Sequence, residues 1–137
     1  MSKLHALWQR IREPRIIKTM YLTYYVVAVW VGVVTLINPP NSISGEIGGF
    51  LTLVWSLFFL IGGAMGVGAV LPGWWWLERL GIFAILTGIL IYSGVVLALH
   101  FMSEGSRLTQ FGVLIFATGT VVPRLPMIWR YSFEPRG

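Results

Sequence analysis

The sequence predicts an all-α integral membrane protein, a four-helix bundle with both ends in the cytoplasm and a short N-terminal amphipathic helix at the interface. Three observations predict it. Hydrophobic residues make up 56% of the 137 and charged residues only 11%, with a mean hydropathy of +0.77, whereas soluble domains carry about a quarter charged residues. Four apolar stretches, about 19–37, 50–71, 80–101 and 108–122, are close to the ~20 residues that a bilayer span needs. Nine of the ten Lys and Arg residues fall on one side of those stretches.

That charge bias sets the orientation, because short loops rich in Lys and Arg stay cytoplasmic. Lys3, Arg10, Arg12, Arg15 and Lys18 precede the first span, Arg79 lies between the second and third, and Arg124, Arg130 and Arg136 follow the fourth. Against Glu13, Glu78 and Glu134 these leave +6 on the inner side, and Arg107 against Glu46 and Glu104 leaves −1 outside. The pI of about 10.1 therefore reflects topology and attraction to an anionic inner leaflet. Nucleic acid is not expected as a partner, since the charges flank spans instead of forming a domain.

The whole chain reads as one membrane domain. Residues 1–18 form a cytoplasmic segment in which Leu4, Leu7, Trp8 and Ile11 follow the i, i+3, i+4, i+7 spacing of an amphipathic helix, with basic residues on the remaining arc, as suits the membrane surface. The first span is too long for the apolar core of a signal peptide and no small-residue cleavage site follows it. Asn38 to Gly49, rich in Pro, Gly, Ser and Asn, is an outer loop. Leu71-Pro72-Gly73 turns the chain inside, and Trp74, Trp75 and Trp76, which cannot share one helix face, are expected to anchor together at head-group depth with Trp8 and Trp129. The fourth span, at 15 residues, is about 22 Å long against a hydrocarbon core of roughly 30 Å. Snorkelling of Arg107 and Arg124, or a kink at Pro123 with continuation towards Trp129, would complete it. Residues 123–137 make a basic cytoplasmic tail.

Glycine is the most informative residue within the spans. Gly62 and Gly66 form a GxxxG, and Ala64 with Gly68 repeats the spacing. Gly81 and Gly88 line a face of the third span, and Gly112 and Gly119 a face of the fourth. Such faces let backbones approach closely in lipid, where no hydrophobic drive exists between helices. Packing within one chain and self-association into a homo-oligomer both use them.

Catalytic and cofactor chemistry finds no residues here. The chain has no cysteine, and His5 and His100 fall on opposite sides of the bilayer. No metal site, cofactor motif or hydrolase constellation is present, so an enzyme is not expected. The cores of the four spans lack ionisable residues, which speaks against an ion-coupled transporter. One titratable cluster, His100, Glu104 and Arg107, is spaced for one helical face at the outer boundary, although Gly105 and Ser106 interrupt it.

Arg12-Glu13-Pro14-Arg15-Ile16-Ile17-Lys18, Asn38-Pro39-Pro40 and Leu71-Pro72-Gly73-Trp74-Trp75-Trp76-Leu77-Glu78-Arg79 resemble the small four-span membrane proteins of actinobacterial phages, over most of the chain. Some of that group are treated as holins. The resemblance implies accumulation in the host inner membrane and timed oligomerisation into a lesion, with Gly62 and Gly66 as the subunit contact. The alternatives are a non-permeabilising membrane protein that works through a protein partner, as an exclusion factor or accessory subunit, and a small channel or transporter.

Overall fold

Helices account for nearly all of the computed structural model, which describes residues 15–39, 49–102 and 105–129. They are α1 (Arg15–Ile37), α2 (Gly49–Val70), α3 (Trp75–Met102), α4 (Leu108–Val121) and the short α5 (Arg124–Trp129). Four helical segments are long and apolar enough to cross a membrane, with α4 and α5 together forming the fourth, Leu108–Trp129. The chain thus has the make-up of a small membrane protein. The amphipathic segment with Trp8, the outer loop around Glu46, Glu104 and the tail beyond Trp129 lie outside the described residues.

The helices coincide with the apolar runs, and helix is the form in which such a run would satisfy its own backbone hydrogen bonds in lipid. Their ends follow from Pro and Gly. Asn38 donates its N–H to Val34 at 2.8 Å, and Pro39, with no N–H to give, stops α1. At the end of α2, Gly73 takes φ +79°, where an L side chain is strained, and both Gly73 and Trp74 donate to the Ala69 carbonyl at 3.0 Å. Helix α3 therefore begins at Trp75, five residues earlier than the apolar run, and takes Glu78 into its first turn. At 28 residues it is about 42 Å long, more than the hydrocarbon core requires. Gly105, with φ +113°, turns the chain between α3 and α4. Val122 and Pro123 break α4 from α5, as expected where Pro lacks the N–H and crowds the preceding turn.

The four spans run antiparallel in up-down order. Gly32 sits against Leu60, Gly63 against Val29, and Gly66 against Tyr25, so α1 and α2 descend past one another. On the other face of α2, Gly62 meets the Gly81 carbonyl and Gly88 meets Phe59, while Trp55 stacks on Tyr92 with ring centroids 4.7 Å apart. Helix α2 packs closely on both α1 and α3, and α4 packs more thinly on α3. Tyr25, Ala28, Val70, Ile82, Ile85, Ile89, Val96, Leu114, Val121 and Ile128 form the main core. The outside is apolar as well. Ile16, Phe50, Leu90, Phe101 and Phe116 are each at least 72% exposed. Such a surface would promote aggregation in water and meets acyl chains in a bilayer.

A candidate functional site at the tryptophan-hairpin end

The site begins with Glu78. Because α3 starts at Trp75, the carboxylate points into the bundle and is fully buried. A buried carboxylate needs donors on its oxygens, and two other elements supply them. Tyr25 of α1 donates its hydroxyl to Oε1 at 2.9 Å. Arg124 donates Nε to the same oxygen at 2.8 Å and Nη2 to Oε2 at 3.3 Å. Arg124 is only 1% exposed.

Aromatic faces enclose the guanidinium. Arg124 lies 4.8 Å from the Tyr21 ring centroid and 5.8 Å from that of Trp75. Lys18 of α1, 6% exposed, holds Nζ 5.6 Å from the Trp75 centroid. Contacts of this kind favour a cation by about 0.5–2 kcal/mol according to desolvation. The cluster joins the first three turns of α1 and the first turn of α3 to the joint between α4 and α5. Its one described acid is saturated with donors, so its chemistry is that of a clamp across three helical elements.

The sequence reading did not foresee a buried ion pair: Glu78 and Arg124, just outside the apolar stretches 80–101 and 108–122, pair inside the bundle. Of the two ways to complete the fourth span, the break at Pro123 with continuation to Trp129 is the one found, and Arg124 turns inward instead of snorkelling. The break at Pro123 re-aims the chain, and the Glu78 carboxylate within hydrogen-bond reach holds the guanidinium inward. Pairing Glu78 with Arg124 was not legible from spacing, as 46 residues separate them. The available signal was Glu78 lying only three residues inside the Trp75 start, next to a Pro-Gly turn that fixes where α3 begins.

The three hairpin tryptophans separate. Trp74 and Trp76 are 55% and 63% exposed, whereas Trp75 turns in against Lys18 and Arg124. Trp129 is 56% exposed and carries the guanidinium of Arg79 at 5.0 Å from its ring centroid. Trp76, Arg79, Leu80, Phe83 and Trp129 line an open groove of about 320 Å³.

The glycines separate too. A Cβ on Gly62 would stand 2.7 Å from the Gly81 carbonyl, one on Gly66 would run into the Tyr25 ring, and one on Gly88 would stand 2.8 Å from Phe59. These positions serve contacts within the chain. Gly68, Gly112 and Gly119 do not pack within it, since a Cβ there meets nothing within 4 Å. A helix puts only part of its circumference against its neighbours, and these three lie on the remainder. Hydroxyls on the spans turn to their own helices: Ser56 donates to Leu53, Thr87 to Phe83, Thr118 to Leu114 and Thr120 to Ala117, all within 2.9 Å.

At the opposite end α3 stops at Met102, so His100 and Arg107 do not share a helix face. They meet across the turn instead, where His100 Nδ1 accepts the Arg107 backbone N–H at 3.3 Å. Comparison with family models, curated proteins and solved structures finds no match for this chain.

Proposed function

We propose that the chain is a small multi-pass protein of a bacterial plasma membrane, with both termini cytoplasmic, that acts by assembling in the bilayer and not by catalysis. Its most specific form is a holin-like phage protein that oligomerises and permeabilises the host inner membrane. The observation that carries this reading is the division of the glycines. Gly62, Gly63, Gly66, Gly81 and Gly88 on α2 and α3 are occupied by the chain's own packing, whereas both Gly112 and Gly119 face outward on α4, the span with the thinnest attachment to the rest. In lipid, a small-residue face beside Ile115 and Phe116, 60% and 76% exposed, supports close contact between copies.

The subunit contact is therefore assigned to α4 and not to the Gly62–Gly66 pair. Gly66→Leu would force a side chain into Tyr25 and so reports on folding, whereas Gly112→Leu with Gly119→Leu reports on assembly. Expression of the intact chain in an actinobacterial host should give sudden depolarisation after a delay, with lysis only when an endolysin is supplied. The double variant should reach the same membrane level and leave cells polarised. Steady, polarised growth of cells expressing the intact chain at verified high level would reject permeabilisation.

A second reading, a non-permeabilising accessory or exclusion protein, is favoured by the exposed Trp76 and Trp129 at the groove. It expects harmless expression and capture of one specific membrane partner, lost when Trp76 and Trp129 are replaced by Ala.

A further inference from the structure

The groove beside Arg79 has a chemical character that the bundle's own packing does not use. Arg79 makes no hydrogen bond or ion pair among the described residues, and its Nε is shielded from the outside with no acceptor. Its guanidinium rests on Trp129, 5.0 Å from the ring centroid, while the neighbouring cation Arg124 has Glu78. Arg79 as a residue is only partly buried, so an external phosphate or carboxylate meets its guanidinium through the outer Nη groups, with charge-assisted bonds.

The other walls say what carries that anion. Trp76, Leu80 and Phe83 recur at i, i+4 and i+7 on α3, so they form one stripe running inward from the helix start. Seven residues rise about 10 Å. Trp76 and Trp129 flank the polar end, and Leu80 and Phe83, 51% and 48% exposed, continue into the apolar part of the span. The groove is thus cationic at the boundary and apolar along the bilayer normal. That is the layout of a phospholipid, with a phosphate at Arg79 and an acyl chain along Leu80 and Phe83.

We propose that this groove is a binding site for one anionic phospholipid, held by Arg79 at its head group and by Trp76, Leu80, Phe83 and Trp129 along its chain. The proposal rests on the membrane reading above. It also uses the orientation read there, since the groove then opens on the cytoplasmic leaflet, where anionic lipids attract cations.

Native mass spectrometry of the full chain, with phosphatidylglycerol and phosphatidylcholine of identical acyl chains, tests it. The wild type should retain one phosphatidylglycerol in preference to phosphatidylcholine by about fivefold, the scale of a single surface cation acting on anionic lipid. Arg79→Gln should bring that preference close to unity, and Arg79→Lys should keep part of it, which also shows that the variant protein is folded. Phe83→Ala should weaken both lipids alike. Inorganic phosphate at millimolar concentration should not displace the lipid, because it has no chain for the apolar wall. Equal retention of the two lipids by the wild type, undiminished preference in Arg79→Gln, or displacement by phosphate alone would overturn the proposal. Loss of a protein partner, but not of lipid, on Arg79→Gln would overturn it in favour of a protein-docking groove. Extraction of the expressed chain by alkaline carbonate separates the two readings. A chain stripped from membranes overturns the membrane reading itself, whereas a chain that stays but lacks lipid preference overturns only the lipid site.

Discussion

Glu78 is the residue on which the hairpin end depends. Its carboxylate is fully buried and takes donors from α1 and from the α4–α5 joint. Removing one partner of a buried pair leaves the other charge uncompensated, at a cost of about 3–5 kcal/mol. Glu78→Gln should therefore lower the thermal midpoint of the detergent-solubilised protein sharply. Glu78→Leu combined with Arg124→Leu should recover most of that loss, because well-packed apolar side chains often replace such a pair at little cost. An unchanged midpoint in Glu78→Gln would show that the pair adds nothing to stability. Tyr25→Phe removes one hydrogen bond to a charged group and should cost about 1.5–3 kcal/mol, measured in the same assay. Neither partner of Glu78 is legible in the sequence, where Tyr25 reads as one of several interfacial aromatics and Arg124 as one of nine inner cations.

At the scale of the helix, glycines that look alike in sequence have different work. Gly63 faces the backbone of α1, with a Cβ position 2.7 Å from the Val29 nitrogen, and no side-chain rotation relieves such a contact. Gly63→Leu should fail to accumulate as a folded monomer, and Gly66→Leu should be severely impaired. Gly68→Ala and Gly112→Ala meet open space and should stay within about 0.5 kcal/mol of wild type, read by thermal stability in size-exclusion chromatography. Unfolding by Gly68→Ala as severe as by Gly63→Leu would contradict the helix rotations described here. The i, i+4 spacing of Gly62 and Gly66 indicated a packing face but not which helix each would meet. Gly62 turns to α3, and Gly66 lies at the junction where both Tyr25 and Gly81 approach.

For the whole molecule, up-down order places the starts of α1 and α3 and the ends of α2 and α5 at one pole, where Lys18, Glu78, Arg79 and Arg124 collect. The proposed orientation would put that pole in the cytoplasm. The chain has no cysteine, which makes single introduced thiols clean reporters. Ser44→Cys should react with a membrane-impermeant maleimide in intact cells, and Ser132→Cys only after permeabilisation. The reverse pattern would invert the topology and move the proposed lipid site to the other leaflet.

The amino-acid sequence alone determined four apolar helices, their approximate bounds and the charge asymmetry. Hydrophobic runs and Pro or Gly breaks are local signals, and a backbone in lipid has few alternatives to helix. Even the early start of α3 was local, written in Pro72-Gly73 but hidden because Glu78 and Arg79 depress the hydropathy there. The tertiary structure decided which cations turn inward, which glycines pack and which tryptophan joins the core. Those outcomes depend on the rotation of each helix about its axis, and on contacts between residues dozens of positions apart, such as Tyr25 with Glu78 and Glu78 with Arg124. Periodicity within one helix does not specify that rotation when, as here, apolar residues surround it on every side.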